Sequence, residues 1–146
     1  ASSTRIRKTL EEGDFELAEE LLGRPYSITG KVIYGRQLGR TLGAPTANLQ
    51  WHRINTALSG VYAVEARLGE QIIKGVANVG VRPTIDHGLT AILEVHLLDF
   101  SEDIYGKTLQ VMFRKKIRDE KKFDSLDDLK TAIHNDIDTA KNYFGV

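Results

Sequence analysis

Five stretches of this chain alternate apolar and polar side chains with a period of two, and no helical pattern separates them. They run from Tyr26 to Tyr34, Val61 to Leu68, Gln71 to Val79, Thr90 to Leu98 and Thr108 to Lys116. Tyr26, Ile28, Val32 and Tyr34 share one face of the first, and a Gly69-Glu70 turn joins the second to the third as a hairpin. Successive strands without crossover helices imply an antiparallel sheet. Strands this short expose unpaired edges, and Gly30, Gly60 and Gly75 permit bends. The expected fold is therefore mainly β, a closed antiparallel, Greek-key-like barrel of about six strands, with a sandwich as the alternative.

Helical signals are confined to the two ends. From Ser2 to Gly23 the chain is rich in charge and helix formers; Asp14 is placed to cap a helix on which Phe15, Leu17, Ala18, Leu21 and Leu22 recur at helical spacing, and Gly23 and Pro25 end it. Residues 1–24 read as a short helical leading segment and residues 25–146 as the barrel domain. Near the C-terminus, Ser125 with Asp128 forms a capping box, and Leu126, Leu129, Ile133, Ile137, Ala140 and Phe144 form one apolar stripe. That amphipathic helix is expected to pack against the barrel.

Charge and composition exclude several function classes. Twenty basic residues balance twenty acidic ones, so the long-range attraction to polyanions typical of nucleic-acid binders is missing. Without cysteine there is no disulfide framework and no thiolate metal site, and the four histidines show no metal-ligand spacing. No apolar run approaches the roughly 18 residues of a membrane span, and no signal pattern is found, so the default expectation is a cytoplasmic protein without a membrane partner. The first residue is Ala1 rather than methionine, which suggests a processed product or a piece of a longer polypeptide.

Between the first strand and the hairpin, residues 35–48 carry three glycines, two arginines and a Pro-Thr pair. Glycines let backbone N–H groups approach an anion and arginines neutralise it, so this stretch is either a phosphate cradle or an ordinary loop. No Walker A or dinucleotide fingerprint accompanies it. Thr46 and Asn48, two apart on an extended segment, face the same way with one hydroxyl and one carboxamide oxygen, either as sparse hard ligands for magnesium beside a nucleotide or as a strand-end hydrogen-bonding pair. On the fourth stretch Ala91, Leu93, Val95 and Leu97 form one apolar face, leaving Glu94 and His96 on the other with Ile92 and Leu98. Glu94 is a candidate general base or a solvated carboxylate; His96 reads as a hydrogen-bonded sheet residue. The acidic turn from Asp99 to Gly106 carries Phe100 and Tyr105, which either stack on a planar ring or cap the barrel, and the charged run from Arg118 to Phe123 reads as a solvated connection.

Taken in order, Gly39-Arg40-x-Leu42-Gly43-x-Pro45-Thr46-Ala47-Asn48-Leu49, Ala77-Asn78-Val79-Gly80-x-Arg82-Pro83-Thr84, Leu93-Glu94-Val95-His96, Asp103-x-Tyr105-Gly106 and Ile117-Arg118-Asp119-Glu120-x-x-Phe123 resemble the riboflavin kinase domain of bacterial FAD synthetases. The resemblance covers nearly the whole chain from about Arg24 onward. It implies transfer of the γ-phosphoryl group of ATP to the 5'-hydroxyl of riboflavin, giving FMN and ADP, with Mg2+ as cofactor. It further implies that Thr46 and Asn48 hold the metal and phosphates, that Glu94 is the base, and that Gly35, Gly39, Arg40 and Tyr105 lie on the nucleotide side. Arg118 and Phe123 would border the flavin, and a covalently linked N-terminal adenylyltransferase domain would precede the leading segment. One departure is Ala44, where the family often has a bulkier apolar residue. Two other readings compete: a flavin- or nucleotide-binding module without turnover, and a small barrel that binds nucleic acid.

Overall fold

In the computed structural model, which describes residues 3–33, 46–50, 57–83 and 89–146, the described residues form two helices, six strands and a final helix. In chain order these are α1 (Ser3–Glu11), α2 (Phe15–Leu22), β1 (Ser27–Ile33), β2 (Ala47–Leu49), β3 (Gly60–Leu68), β4 (Gln71–Pro83), β5 (Leu89–Leu97), β6 (Thr108–Arg118) and α3 (Leu126–Phe144). The strands close into a barrel in the order β1-β2-β5-β4-β3-β6, every neighbouring pair antiparallel. β3, β4 and β5 form a meander, and β6 returns to lie beside β3, which is the Greek-key arrangement. The expected closed barrel is thus borne out and the sandwich set aside.

The sixth strand is the one that local alternation did not reveal. β2 has only three residues, yet Leu49 pairs with Val32 on one side and with Leu93 on the other. Closure makes it a strand, since without it β1 and β5 would each present an open edge. The hairpin of β3 and β4 turns through Gly69 and Glu70, with Leu68 opposite Gln71 and Gly69 at a φ of 61°. β4 runs on past Val79 to Pro83 because β5 follows it as far as Leu89.

Side-chain alternation divides the barrel wall into two packed faces. Inside lie Tyr62, Val64, Leu93, Val95, Val111 and Phe113, all essentially without solvent contact. Outside, Val61, Ala63 and Val76 are buried beneath Ala140, Ile137 and Phe144 of α3. The apolar stripe of α3 therefore packs as expected, with one correction: Leu126 is 58 % exposed. It occupies the first turn, ahead of the part of the helix that meets the wall. Ser125 caps that turn, accepting from the Asp128 N–H at 3.1 Å.

One end of the barrel is closed by the leading segment. Asp14 accepts from the Leu17 N–H at 3.1 Å and so starts α2, which Gly23 ends in a left-handed conformation. Phe15 then inserts against Tyr62, with centroids 5.6 Å apart edge to face, and against Phe113 at 5.9 Å. The buried Tyr62 hydroxyl accepts from the Ser59 N–H at 2.9 Å and donates to the Ser59 carbonyl at 3.0 Å. Burial pushes its pKa up to about 12, so it stays a neutral donor. Replacing Phe15 by Ala is expected to lower the unfolding free energy by about 3–5 kcal/mol, read from urea titration. A loss below about 1 kcal/mol would mean that α2 is peripheral to the cooperative unit.

Candidate functional site

Register pairs carry one row of residues across the outer wall. Ile33 lies opposite Asn48, Asn48 opposite Glu94, Glu94 opposite Asn78, Asn78 opposite Val61, and Val61 opposite Arg118. Directly opposed residues of an antiparallel pair project to the same side with Cβ atoms about 4.5–5.5 Å apart. Asn48, Glu94 and Asn78 therefore stand side by side, while their sequence neighbours Leu49, Leu93, Val95, Ala77 and Val79 fill the interior. Thr46 precedes β2 by one residue and shares the outward direction of Asn48; both are half-buried.

This row puts a carboxylate beside neutral oxygen donors. The Thr46 hydroxyl and Asn48 carboxamide are hard donors of the kind magnesium accepts when waters and phosphate oxygens complete its shell. No group of three or more metal-ligating His, Cys, Asp or Glu residues occurs among the described residues. The donor set thus fits a cation that arrives with a ligand of its own, rather than a closed protein cage.

On one flank the row ends in a clamp. Arg118 grips Asp136 of α3 through two parallel hydrogen bonds, Nε to Oδ1 and Nη2 to Oδ2, each 2.9 Å. Its Nη1 donates to the Asp119 carbonyl at 3.2 Å, and its guanidinium lies 5.5 Å from the centroid of the Phe123 ring. The fork geometry of arginine suits such bidentate pairing, and Asp136 is buried where water cannot replace it. Gly60, at a φ of 127°, lets this turn settle, since a Cβ there would strike the Arg118 carbonyl oxygen. From the clamp, Glu120 reaches back over β4 so that its carboxylate rests on Gly80, where any Cβ would overlap it.

The opposite flank carries Tyr105. Asp103 accepts from the Tyr105 N–H at 3.0 Å, Gly106 donates to the Val32 carbonyl at 2.9 Å, and Ile104 is buried. The turn is therefore anchored to the end of β1 while the Tyr105 ring stands 51 % exposed. Phe100 packs on the core, so of the two aromatics in the acidic turn one caps the barrel and the other is presented outward. Gly35, Gly39 and Arg40, with Tyr34 and Ala44, lie outside the described residues.

Comparison with known proteins decides the family. The model of the flavokinase family, riboflavin kinase, matches residues 22–144. The chain belongs to the riboflavin kinase family. It is 56 % identical over 144 residues to the bifunctional riboflavin kinase/FMN adenylyltransferase of Haemophilus influenzae, covering 98 % of this chain and 46 % of that protein. Against the protein of the same description from Escherichia coli K12 it is 51 % identical, covering 99 % of this chain and 46 % of the relative. The chain thus spans about half the length of the curated relatives it matches.

Two solved structures share the fold. One, described as a macrolide-efflux protein from Streptococcus pneumoniae, matches with a TM-score of 0.85 and 41 % identity over 97 % of this chain and 46 % of its own. The riboflavin kinase of Trypanosoma brucei matches with a TM-score of 0.55 and 22 % identity, over 83 % of this chain and 80 % of its own. The second likeness bears on the fold alone. Among the described residues no helix is long and apolar enough to cross a membrane.

Of the residues named from sequence, those among the described residues fall into one outward region. Thr46, Asn48 and Glu94 are adjacent, with Arg118 and Phe123 on one flank and Tyr105 on the other. Four further residues of the region were not singled out individually: Asn78, Gly80, Glu120 and Asp136. The first three lie inside the sequence blocks that carry the family resemblance, but only the register shows that Asn78 and Gly80 face outward, and only the contact with Gly80 places Glu120. Asp136 did leave a signal, since it falls at helical spacing between Ile133 and Ala140, in the apolar stripe.

Burial, together with the nearby charge of Glu94, holds the Glu120 carboxyl above its ordinary range, although Arg118 pulls the other way. Folding therefore tightens the hold of Glu120 on its proton relative to the unfolded chain; the stabilising contribution is complete below the unfolded pKa and is lost as pH rises through the folded value. Glu120→Gln is accordingly expected to raise the melting temperature near neutral pH, with the gain vanishing below the carboxylate range. Thermal scans across that interval check it, and an equal gain at all pH values would contradict it. Asp136→Ala, which strands Arg118, is expected to cost about 1.5–3 kcal/mol in urea titration.

Proposed function

We propose that this chain transfers the γ-phosphoryl group of ATP to the 5'-hydroxyl of riboflavin, releasing FMN and ADP. The observation that carries the reading is the register of β2 on β5, which sets Asn48 opposite Glu94. A donor suited to the phosphate side and a carboxylate suited to the acceptor side then meet on one patch of wall.

In this reading Glu94 accepts a hydrogen bond from the acceptor hydroxyl and takes its proton as the oxygen attacks the γ-phosphorus. The bond from that phosphorus to the bridging oxygen breaks in line with the attack, and ADP leaves. The Thr46 hydroxyl and Asn48 carboxamide would hold Mg2+, which supplies neutralisation of the charge on the transferring group. Tyr105 offers a ring face on the nucleotide side, and Gly35, Gly39 and Arg40 would cradle the phosphates. On the other side Phe123 offers an aromatic border for the flavin ring. Arg118 contributes by holding Phe123 and the Arg118–Phe123 connection in place, three of its hydrogen bonds going to Asp136 and Asp119. Little covalent chemistry is asked of the protein, so positioning supplies most of the rate.

We further propose that residues 1–24 join this barrel to an adenylyltransferase half in a longer cytoplasmic polypeptide. The supporting observations are that the curated relatives are named for both activities and that the family match begins at residue 22. Neither nucleic acid nor membrane is part of this function, in keeping with zero formal net charge.

Glu94→Gln is the direct test, because the amide preserves size and hydrogen bonding while losing the basic site. Flavin binding, followed by fluorescence quenching, is expected to persist while kcat falls by about a hundred- to ten-thousand-fold. Unchanged kcat would remove Glu94 from the reaction. Flavin and nucleotide binding by the unaltered chain without any turnover would favour a binding module instead.

A further inference from the structure

Gly80 is a bare patch in an otherwise furnished wall. It lies two residues along β4 from Asn78 and so projects from the same outer face, diagonal to Glu94 across β4 and β5. Diagonal positions on neighbouring strands are about 7–8 Å apart. Having no side chain of its own, Gly80 is buried because the Glu120 carboxylate lies on it. The position lies beside the row that runs from Glu94 through Asn78 and Val61 to Arg118, and beneath the Glu120 carboxylate, so a molecule that reaches from Glu94 to Glu120 has Gly80 under it.

Glu120 does not arrive there by the chance setting of a surface side chain. Two residues before it Arg118 is fixed to α3 by the paired bonds to Asp136, and the intervening Asp119 is held by its carbonyl to Arg118 and by its carboxylate to Lys116 at 2.6 Å. Among the described residues no hydrogen bond or ion pair saturates the Glu120 oxygens, and two carboxylate oxygens can accept about four hydrogen bonds. A general base uses only one acceptor hydroxyl. A second carboxylate one diagonal step away is suited to other hydroxyls of the same molecule.

We infer that Glu120 is a specificity-determining residue for the acceptor, accepting hydrogen bonds from the secondary hydroxyls of its polyol chain where that chain crosses Gly80. The inference rests on the flavin-kinase reading above and names the part of the substrate that Glu120 reads. Gly80 provides the clearance, Glu94 addresses the terminal hydroxyl, and Glu120 addresses those nearer the ring. A site built to receive hydroxyls rejects an analogue that lacks them, because the acceptor covered by the bound molecule then loses its water without a replacement.

The test compares riboflavin with a flavin bearing a 5-hydroxypentyl chain at N10, which keeps the terminal hydroxyl and lacks the secondary ones. Both are assayed for phosphorylation, and for binding by fluorescence quenching, with the unaltered chain, Glu120→Ala and Glu120→Gln. The unaltered chain is expected to favour riboflavin by about 10- to 100-fold in kcat/KM, the scale of a hydrogen bond to a charged group. Glu120→Ala should lose most of that preference by weakening riboflavin alone, and Glu120→Gln should retain part of it through the amide oxygen. An equal fall for both flavins, or an unaltered chain indifferent to the missing hydroxyls, would overturn the inference while leaving the kinase reading standing. Failure of the unaltered chain to phosphorylate either flavin, despite binding them, would overturn the kinase reading and this inference with it.

Discussion

The barrel and its outer site both depend on the pairing of three residues. Ala47, Asn48 and Leu49 bridge β1 and β5, and without that bridge the sheet would remain open along two edges. The same pairing has chemical content, because the alternation of a strand allows only one outcome once Leu49 is buried. Asn48 must face outward, and the register on β5 makes its neighbour Glu94 rather than Leu93 or Val95. A slip of one residue would bury the carboxamide and expose the leucine, so the energy that closes the barrel also fixes the composition of the site.

A second constraint comes from outside the barrel. α3 buries Val61, Ala63 and Val76 and thereby protects the outer wall beside the site. From that helix Asp136 reaches Arg118, and the clamp sets where the Arg118–Phe123 connection lies. Placing Glu120 over Gly80 has an electrostatic cost, because its charge is partly desolvated and stands near Glu94. Stability alone would favour removing that charge. Such tension between stability and a retained charged group is expected where the group serves a ligand.

Much of this architecture can be read directly from the residues, because periodicity reports burial. The five longer strands, the Asp14 and Ser125 caps and the apolar stripe of α3 each leave a local pattern. β2 does not, because three residues carry no period and their strand character comes from neighbours distant in sequence. The site divides in the same way. Glu94 could be recognised as an outward carboxylate between apolar residues, and Thr46 with Asn48 as a pair facing one way. Their adjacency to each other, and that of Asn78 and Gly80 to both, exists only in the register. Glu120 was hidden inside a run of charges that resembles ordinary solvated surface, and Asp136 inside a helix whose other inward residues are apolar.

The proposed function places phosphoryl transfer to a flavin alcohol on this wall. It is tested most directly by incubating the chain with riboflavin and ATP, with magnesium present or chelated, and separating the flavins by chromatography. FMN and ADP are expected in equal amounts when magnesium is present and neither when it is chelated. Hydrolysis of ATP without FMN, or FMN formed equally well under chelation, would contradict it.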